Sequence, residues 1–180
     1  MSIVAADILI KGSVTTGAAG DSTAQTVAGS NLGKYMATTQ PADATLNNLF
    51  PDTTGAENAA SQVDYQCIFV HNSHATLTYQ SCVVWVNAQV AGGVGYDIAL
   101  DSTAVSAHGA SSAQALTIAN KNTAPAAITF AGTAVSLGTA LSIGDLTPGQ
   151  VKAVWLKRTA ANTVAVPNDG ATIEFSGDTL

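Results

Sequence analysis

The chain has 180 residues, of which 47% are hydrophobic and only 10% charged, with two cysteines and a formal net charge of −6. That length suits one domain with a real core, and two cysteines exclude a disulfide scaffold. Six Lys and Arg against twelve Asp and Glu exclude the clustered basic surface that nucleic acid requires, and no apolar run approaches the ~20 residues that span a bilayer.

Charge this far below the ~25% of ordinary globular chains implies a surface of Ser, Thr, Asn, Gly and Ala. Partners often cover such a surface, so an assembled protein is expected. The opening MSIVAADILIKGS has no basic segment and its apolar run is broken by Asp7. No secretory leader is read there, and a soluble product made in the cytoplasm is expected.

In chain order, alternation over 3–14 predicts a first strand with Val4, Ala6, Ile8 and Ile10 on one face. Residues 15–31 are Gly, Ala, Ser and Thr with almost no large apolar side chain, which predicts a long arm ordered only against a neighbour. Residues 32–35 resume a short ordered piece. The chain thus divides into an N-terminal strand and extended arm, 1–35, and a β-sandwich domain, 36–180.

Asn47 to Asp52 reads as a compact turn with two apolar anchors, Leu49 and Phe50. Thr54 and Glu57 have the spacing of a capping box, which predicts one helical turn. Residues 65–90 then hold the densest β-branched and aromatic content in the chain, interrupted at Asn72–Ser73–His74. Two strands joined by a short polar link predict a β-hairpin, and neither of its faces is wholly polar, so it is expected to lie between layers. Tyr65, Phe69 and Trp85 are assigned to this core.

Residues 95–100 read as a strand, 102–113 as a second long loop, and 114–119 and 126–130 as short strands. Leu146–Thr147–Pro148–Gly149 predicts a β-turn with Pro at its third position. Residues 151–159 alternate as a strand carrying Trp155, also assigned to the core, and Asn168–Asp169–Gly170 turns the chain into a last strand over 171–176. The expected fold is all-β: an antiparallel β-sandwich, in one form a jelly roll, with the extended arm and long Gly/Ala/Ser/Thr loops.

Candidate chemistry is sparse. His71 and His74 have spacing that metal ligands can use, but no third ligand accompanies them, and solvated histidines at a turn rim are the preferred reading. Cys67 and Cys82 fall opposite or one step apart in the expected hairpin, where buried thiols are preferred over a bridge. Lys152, Lys157 and Arg158 read as a solvated strand face rather than a phosphate site. Asp97 with Asp101, and Asp169 with Glu174, are the carboxylate pairs; residues four apart along a strand stand about 13 Å apart. A glycosidase pair needs roughly 5–10 Å. No nucleophile elbow, zinc-protease helix or P-loop motif is present. No catalytic residue, metal or cofactor is therefore assigned, and the chain is not expected to be an enzyme. Trp85 and Trp155 suit packing better than a sugar-stacking platform.

Three stretches together are similar to a family of small structural proteins of tailed bacteriophages. They are Asn48–Leu49–Phe50–Pro51–Asp52; the segment from Val63 to Asn72 with His74–Ala75–Thr76–Leu77 and Val83–Val84–Trp85–Val86; and the segment from Pro148 to Thr159. The opening MSIVAADI also resembles that family. Gln66 stands where the pattern carries Arg, so a charge-pairing role there does not carry over. The resemblance implies a virion role in the head, neck or tail.

Low charge and apolar strand faces that subunits can share make a capsid decoration (cement) protein the leading expectation. Its partners would be the major capsid protein and further copies of itself, as a trimer, with no nucleic acid and no membrane; its place would be the capsid surface of the virion. Val14 and Val27, which bound the arm, with Tyr35 and Phe50, are the interface candidates. A neck or tail component, and a carbohydrate-binding module displayed on the particle, are the alternatives.

Overall fold

A strand with apolar side chains on both faces needs a layer on each side. The computed structural model describes residues 2–17, 26–164, 166 and 168–179, and in it the segment from Val63 to Asn72 is such a strand. Ten strands run along the described chain: β1 Ile8–Lys11, β2 Ser13–Val14, β3 Tyr35–Met36, β4 Val63–Asn72, β5 Tyr79–Asn87, β6 Gly95–Leu100, β7 Ser106–Ala107, β8 Leu141–Leu146, β9 Gln150–Thr159 and β10 Thr172–Thr179. One short helix, α1, spans Gly55–Ala59. Every strand pairing is antiparallel, and the fold is an all-β sandwich. The pairings do not establish jelly-roll wiring.

The main sheet has the order β1-β4-β9-β6, with β7 on the far end of β9; the second sheet has the order β10-β5-β8. β4 and β9 pair along nearly their whole length, from Val63 opposite Thr159 to His71 opposite Val151. Alternation sends Ile68, Val154 and Leu156 towards the second sheet, where they meet Val84, Val86 and Ile98. It sends Cys67, Phe69, Ala153 and Trp155 the opposite way, into a separate core with Met36, Ala115 and Ile118. No large sheet covers that second face. Among the described residues the cover is mostly irregular chain, from residues 31–34 and 114–130, with the two-residue strand β3 paired to β2.

The expected β-hairpin over 65–90 does not form. β4 and β5 lie in different sheets, because both edges of β4 are already taken: by β9, and on the other side by β1 and two backbone carbonyls. Where β1 ends, Cys67 N–H donates to Asn31 O and Tyr65 N–H to Lys121 O, each at 2.7 Å. The link from β4 to β5 is an arch from one sheet to the other. Asn72 holds it, donating from Nδ2 to Leu77 O (2.9 Å) and Leu146 O (2.8 Å). His74 Nδ1 accepts from Leu77 N–H at 2.9 Å. The short link thus resembles a hairpin turn in sequence but is fixed by side chains into a crossover.

Other boundaries shift for local reasons. The first strand begins only at Ile8, since residues Ala5–Asp7 form a 3₁₀ turn in which Asp7 Oδ2 accepts from Val4 N–H. Val4 and Ala6 therefore do not share a strand face with Ile8 and Ile10. The segments 114–119 and 126–130 contain no strand; their only ladder contact is a single bridge, Thr117 to Gly33. The turn before β9 is Thr147–Gln150, one residue later than expected, with Gln150 N–H donating to Thr147 O. Pro148 then takes the favoured second position and Gly149 (φ +74°) the third, as a type II turn requires. The capping box does form, with Thr54 Oγ1 accepting from Glu57 N–H and Glu57 Oε2 from Thr54 N–H.

Candidate functional site

The interface candidates occupy unlike environments. Val14 is buried, Tyr35 is half-buried beside the Lys34 ammonium, and Val27 is 67% exposed. Of the arm between Val14 and Val27, residues 18–25 lie outside the described residues. Phe50 is buried in the core between the sheets, its ring edge-on to Tyr96 at 5.9 Å. Among the core assignments, Phe69 and Trp155 are fully buried, Trp85 is 8% exposed, and Tyr65 is half-buried with its ring 5.5 Å from Phe130. Neither tryptophan offers a stacking platform.

The histidines separate. His74 belongs to the arch, whereas His71 is buried rather than solvated, its ring 5.2 Å from that of His108. The cysteines separate too: both are free and buried, Cys67 under the irregular cover and Cys82 between the sheets. Hairpin pairing cannot bring them opposite one another, since their strands lie in different sheets. Burial pushes the Cys82 thiol up to about 12 and the Cys67 thiol well above its usual range. Neither is poised as a nucleophile. Among the described residues, no group of three His, Cys, Asp or Glu could hold a metal, and no helix is long and apolar enough to cross a membrane.

The basic residues of β9 are not a solvated face. Lys152 Nζ donates to Asp101 O and Thr103 O, and burial lowers its pKa against the pull of Asp101. Lys157 pairs with Asp97 at 2.7 Å. Arg158 lies opposite Asp64 in the β4–β9 register and donates to its carboxylate at 2.6 Å. The same guanidinium donates to Pro51 O at 2.7 Å and stacks on the Phe50 ring at 4.8 Å. Asp64 also accepts from Lys121, which pairs in turn with Glu57 at 3.0 Å. This chain of charges joins the loop before α1, the central strands and the irregular cover. The signal for it in the sequence was Asp64, the one charge on strand β4, facing a strand that carries Arg158.

Asp101 is the other buried carboxylate. Its Oδ2 accepts from Trp155 Nε1 (2.6 Å) and Leu116 N–H (2.9 Å), and its Oδ1 from Thr103 N–H (2.7 Å). Four carboxylates had been paired by spacing, but Asp97 and Asp101 hold different partners and neither pair converges on a common opening.

A large opening lies where the two sheets part, between β1 and β10. Ile8, Ile10, Ile68, Leu156, Ile173 and Phe175 form its apolar wall in a cleft of about 1170 Å³. Loop residues 43–53, 161, 163, 164, 166 and 168–171 flank it, bringing Asp43, Asp52 and Asp169 to its sides together with Arg158. Leu46 and Val164 stand on these loops with 65% and 87% exposure. Asp169 Oδ2 accepts from Val94 N–H at 2.7 Å, while its Oδ1 is buried with no hydrogen-bond partner among the described residues. Among the described residues, no nucleophile–base pair lines the cleft. No family model, no curated protein and no solved structure matches the chain.

Proposed function

We propose that this protein is a structural component of a tailed-bacteriophage virion, acting as a decoration (cement) protein that binds and stabilises a shell of major capsid subunits. The observation that carries this reading is where the virion-like stretches fall. The segments from Val63 to Asn72 and from Pro148 to Thr159 are the two paired central strands, and Asn48–Leu49–Phe50–Pro51–Asp52 is the loop clamped to them by Arg158. All three build a frame, and none assembles reactive groups. A ligand that binds only the assembled shell stabilises it by mass action, and many linked weak contacts suffice. Self-association as a trimer over capsid junctions belongs to the same reading.

Quantitative densitometry of purified particles against the major capsid protein is the test. Copies comparable in number with the capsid protein are expected. A ring's worth, about six to twelve, would move the protein to the neck or tail, and absence from particles would overturn a virion role.

A further inference from the structure

The two sides of the sandwich are finished differently. On one, the edge of β6 is bonded to Ala131, with Ala131 N–H donating to Ile98 O at 2.8 Å. Nearby, β8 is short and broken by Gly144 (φ +85°), and Asp145 Oδ1 accepts from Ser81 N–H. Bulges and inserted side chains of this kind block pairing by another chain. On the other side, β1 pairs only with β4 and β10 only with β5. Thr172–Thr179 is an eight-residue edge strand with no second neighbour among the described residues.

That free edge borders the cleft. The 1170 Å³ opening exceeds the ~300–1,000 Å³ of ordinary small-ligand sites. It runs on past Ile8, Ile10 and Phe175 into a second hollow of about 340 Å³. Its charged lining is lopsided: Asp43, Asp52 and Asp169 against Arg158, whose guanidinium is already held by Asp64 and Pro51 O. Asp169 Oδ1 is itself buried, so the exposed Asp43 and Asp52 are the carboxylates an occupant meets.

We propose that this cleft takes an extended, basic segment of a partner protein, which adds as a strand to the free edge of β10. Its alternate apolar side chains would enter the seam beside Ile173 and Phe175, and a Lys or Arg would reach the exposed carboxylates of Asp43 and Asp52. A second copy of this chain is a poor occupant. Of its six Lys and Arg, Lys121, Lys152, Lys157 and Arg158 are held in the network described above, and Lys11 donates to Thr38 O. No extended segment of the chain offers basic residues alternating with apolar ones except β9, which is the middle of the main sheet. The inference stands apart from the virion reading, since it concerns the chemistry of the occupant and not the particle.

The test uses the full chain and three labelled decapeptides, alternating Val/Lys, Val/Glu and Ser/Lys, with binding read by fluorescence anisotropy. The Val/Lys peptide is expected to bind about tenfold more tightly than either control, because it alone supplies both charge and apolar side chains. Amide exchange across 172–179 should slow on binding. The double variant Asp43→Asn/Asp52→Asn, at two exposed positions, should weaken the Val/Lys peptide about fivefold. No binding, equal affinity for the three peptides, or unchanged exchange in β10 would overturn the proposal. So would protection of β10 by self-association in the absence of peptide.

Discussion

The main sheet has two faces, and they are covered by different means. Towards the second sheet, Ile68, Val84, Val86, Ile98, Val154 and Leu156 meet as strand against strand, and each strand satisfies its own backbone in a ladder. On the opposite face, the cover is irregular chain, whose backbone groups need partners that no ladder supplies. Buried polar side chains provide them. Gln114 Oε1 accepts from Met36 N–H, Asn31 Oδ1 from Ser13 N–H, Ser13 Oγ from Gly33 N–H, and Asp101 from Leu116 and Thr103 N–H. Burial without a ladder depends on a few residues, whereas burial with one is shared among many. The first face should therefore tolerate trimming and the second should not.

The largest effect is expected where both kinds of cover meet. Asp64→Ala would leave Arg158 buried without its anion and release Lys121, in the irregular cover, from the central strand β4. Breaking a buried pair from one side costs about 3–5 kcal/mol. Urea denaturation should show that loss with m unchanged; a loss below about 1 kcal/mol would mean that solvent reaches the pair.

Asp101→Ala comes next and tests the irregular face directly. It orphans one buried donor, Trp155 Nε1, and two part-buried ones, Leu116 N–H and Thr103 N–H, and removes the negative charge beside Lys152. A loss of about 3 kcal/mol is expected from stranding them. Amide exchange should quicken at 101–118 while β5 and β10 stay protected. On the opposite face, Ile68→Val removes one buried methylene at a cost of about 1 kcal/mol, and should leave exchange in the irregular cover unchanged. Equal and uniform effects of Asp101→Ala and Ile68→Val would erase the distinction between the faces.

That distinction also marks what the sequence made legible. Gly95–Leu100 and the alternation from Val151 to Thr159 read correctly, because period-two patterning survives in strands packed on both faces. The all-β sandwich followed from them. The partner of each strand did not: an arch and a hairpin can share the same short polar link, and what separates them is the pairing of β4 with β1 and β9 and the bond from Asn72 to Leu146 O, 74 residues away. The irregular cover was misread as strands at 114–119 and 126–130 because its apolar residues do face a core. What they lack is a continuous ladder: residues 114–118 bond the backbone of Leu32 and Lys34 only at scattered points, and local sequence carries no sign of that. The cleft was invisible for a similar reason. Its walls come from β1, β4, β9 and β10, and Asp43, Asp52 and Asp169 approach it only once the loops fold back.

The smallest effect belongs to the capping box of α1, which connects the irregular cover to the charge chain. Glu57 is held at about 2, well below its ordinary 4.5, by the Thr54 backbone N–H first, then by Lys121 and the Thr54 hydroxyl. A carboxylate depressed in the folded state adds stability that is complete above its ordinary pKa and lost as pH falls towards its folded one. The contribution should therefore be whole at pH 6 and disappear between about 4.5 and about 2. Glu57→Gln keeps an acceptor for Thr54 N–H but loses the charge facing Lys121, so a few tenths of a kcal/mol up to about 1 is expected, as for exposed ion pairs. Melting curves of the two proteins should differ at pH 6 and converge near pH 2. A gap that persists at pH 2 would assign the stabilisation to helix capping alone and remove Glu57 from the charge chain.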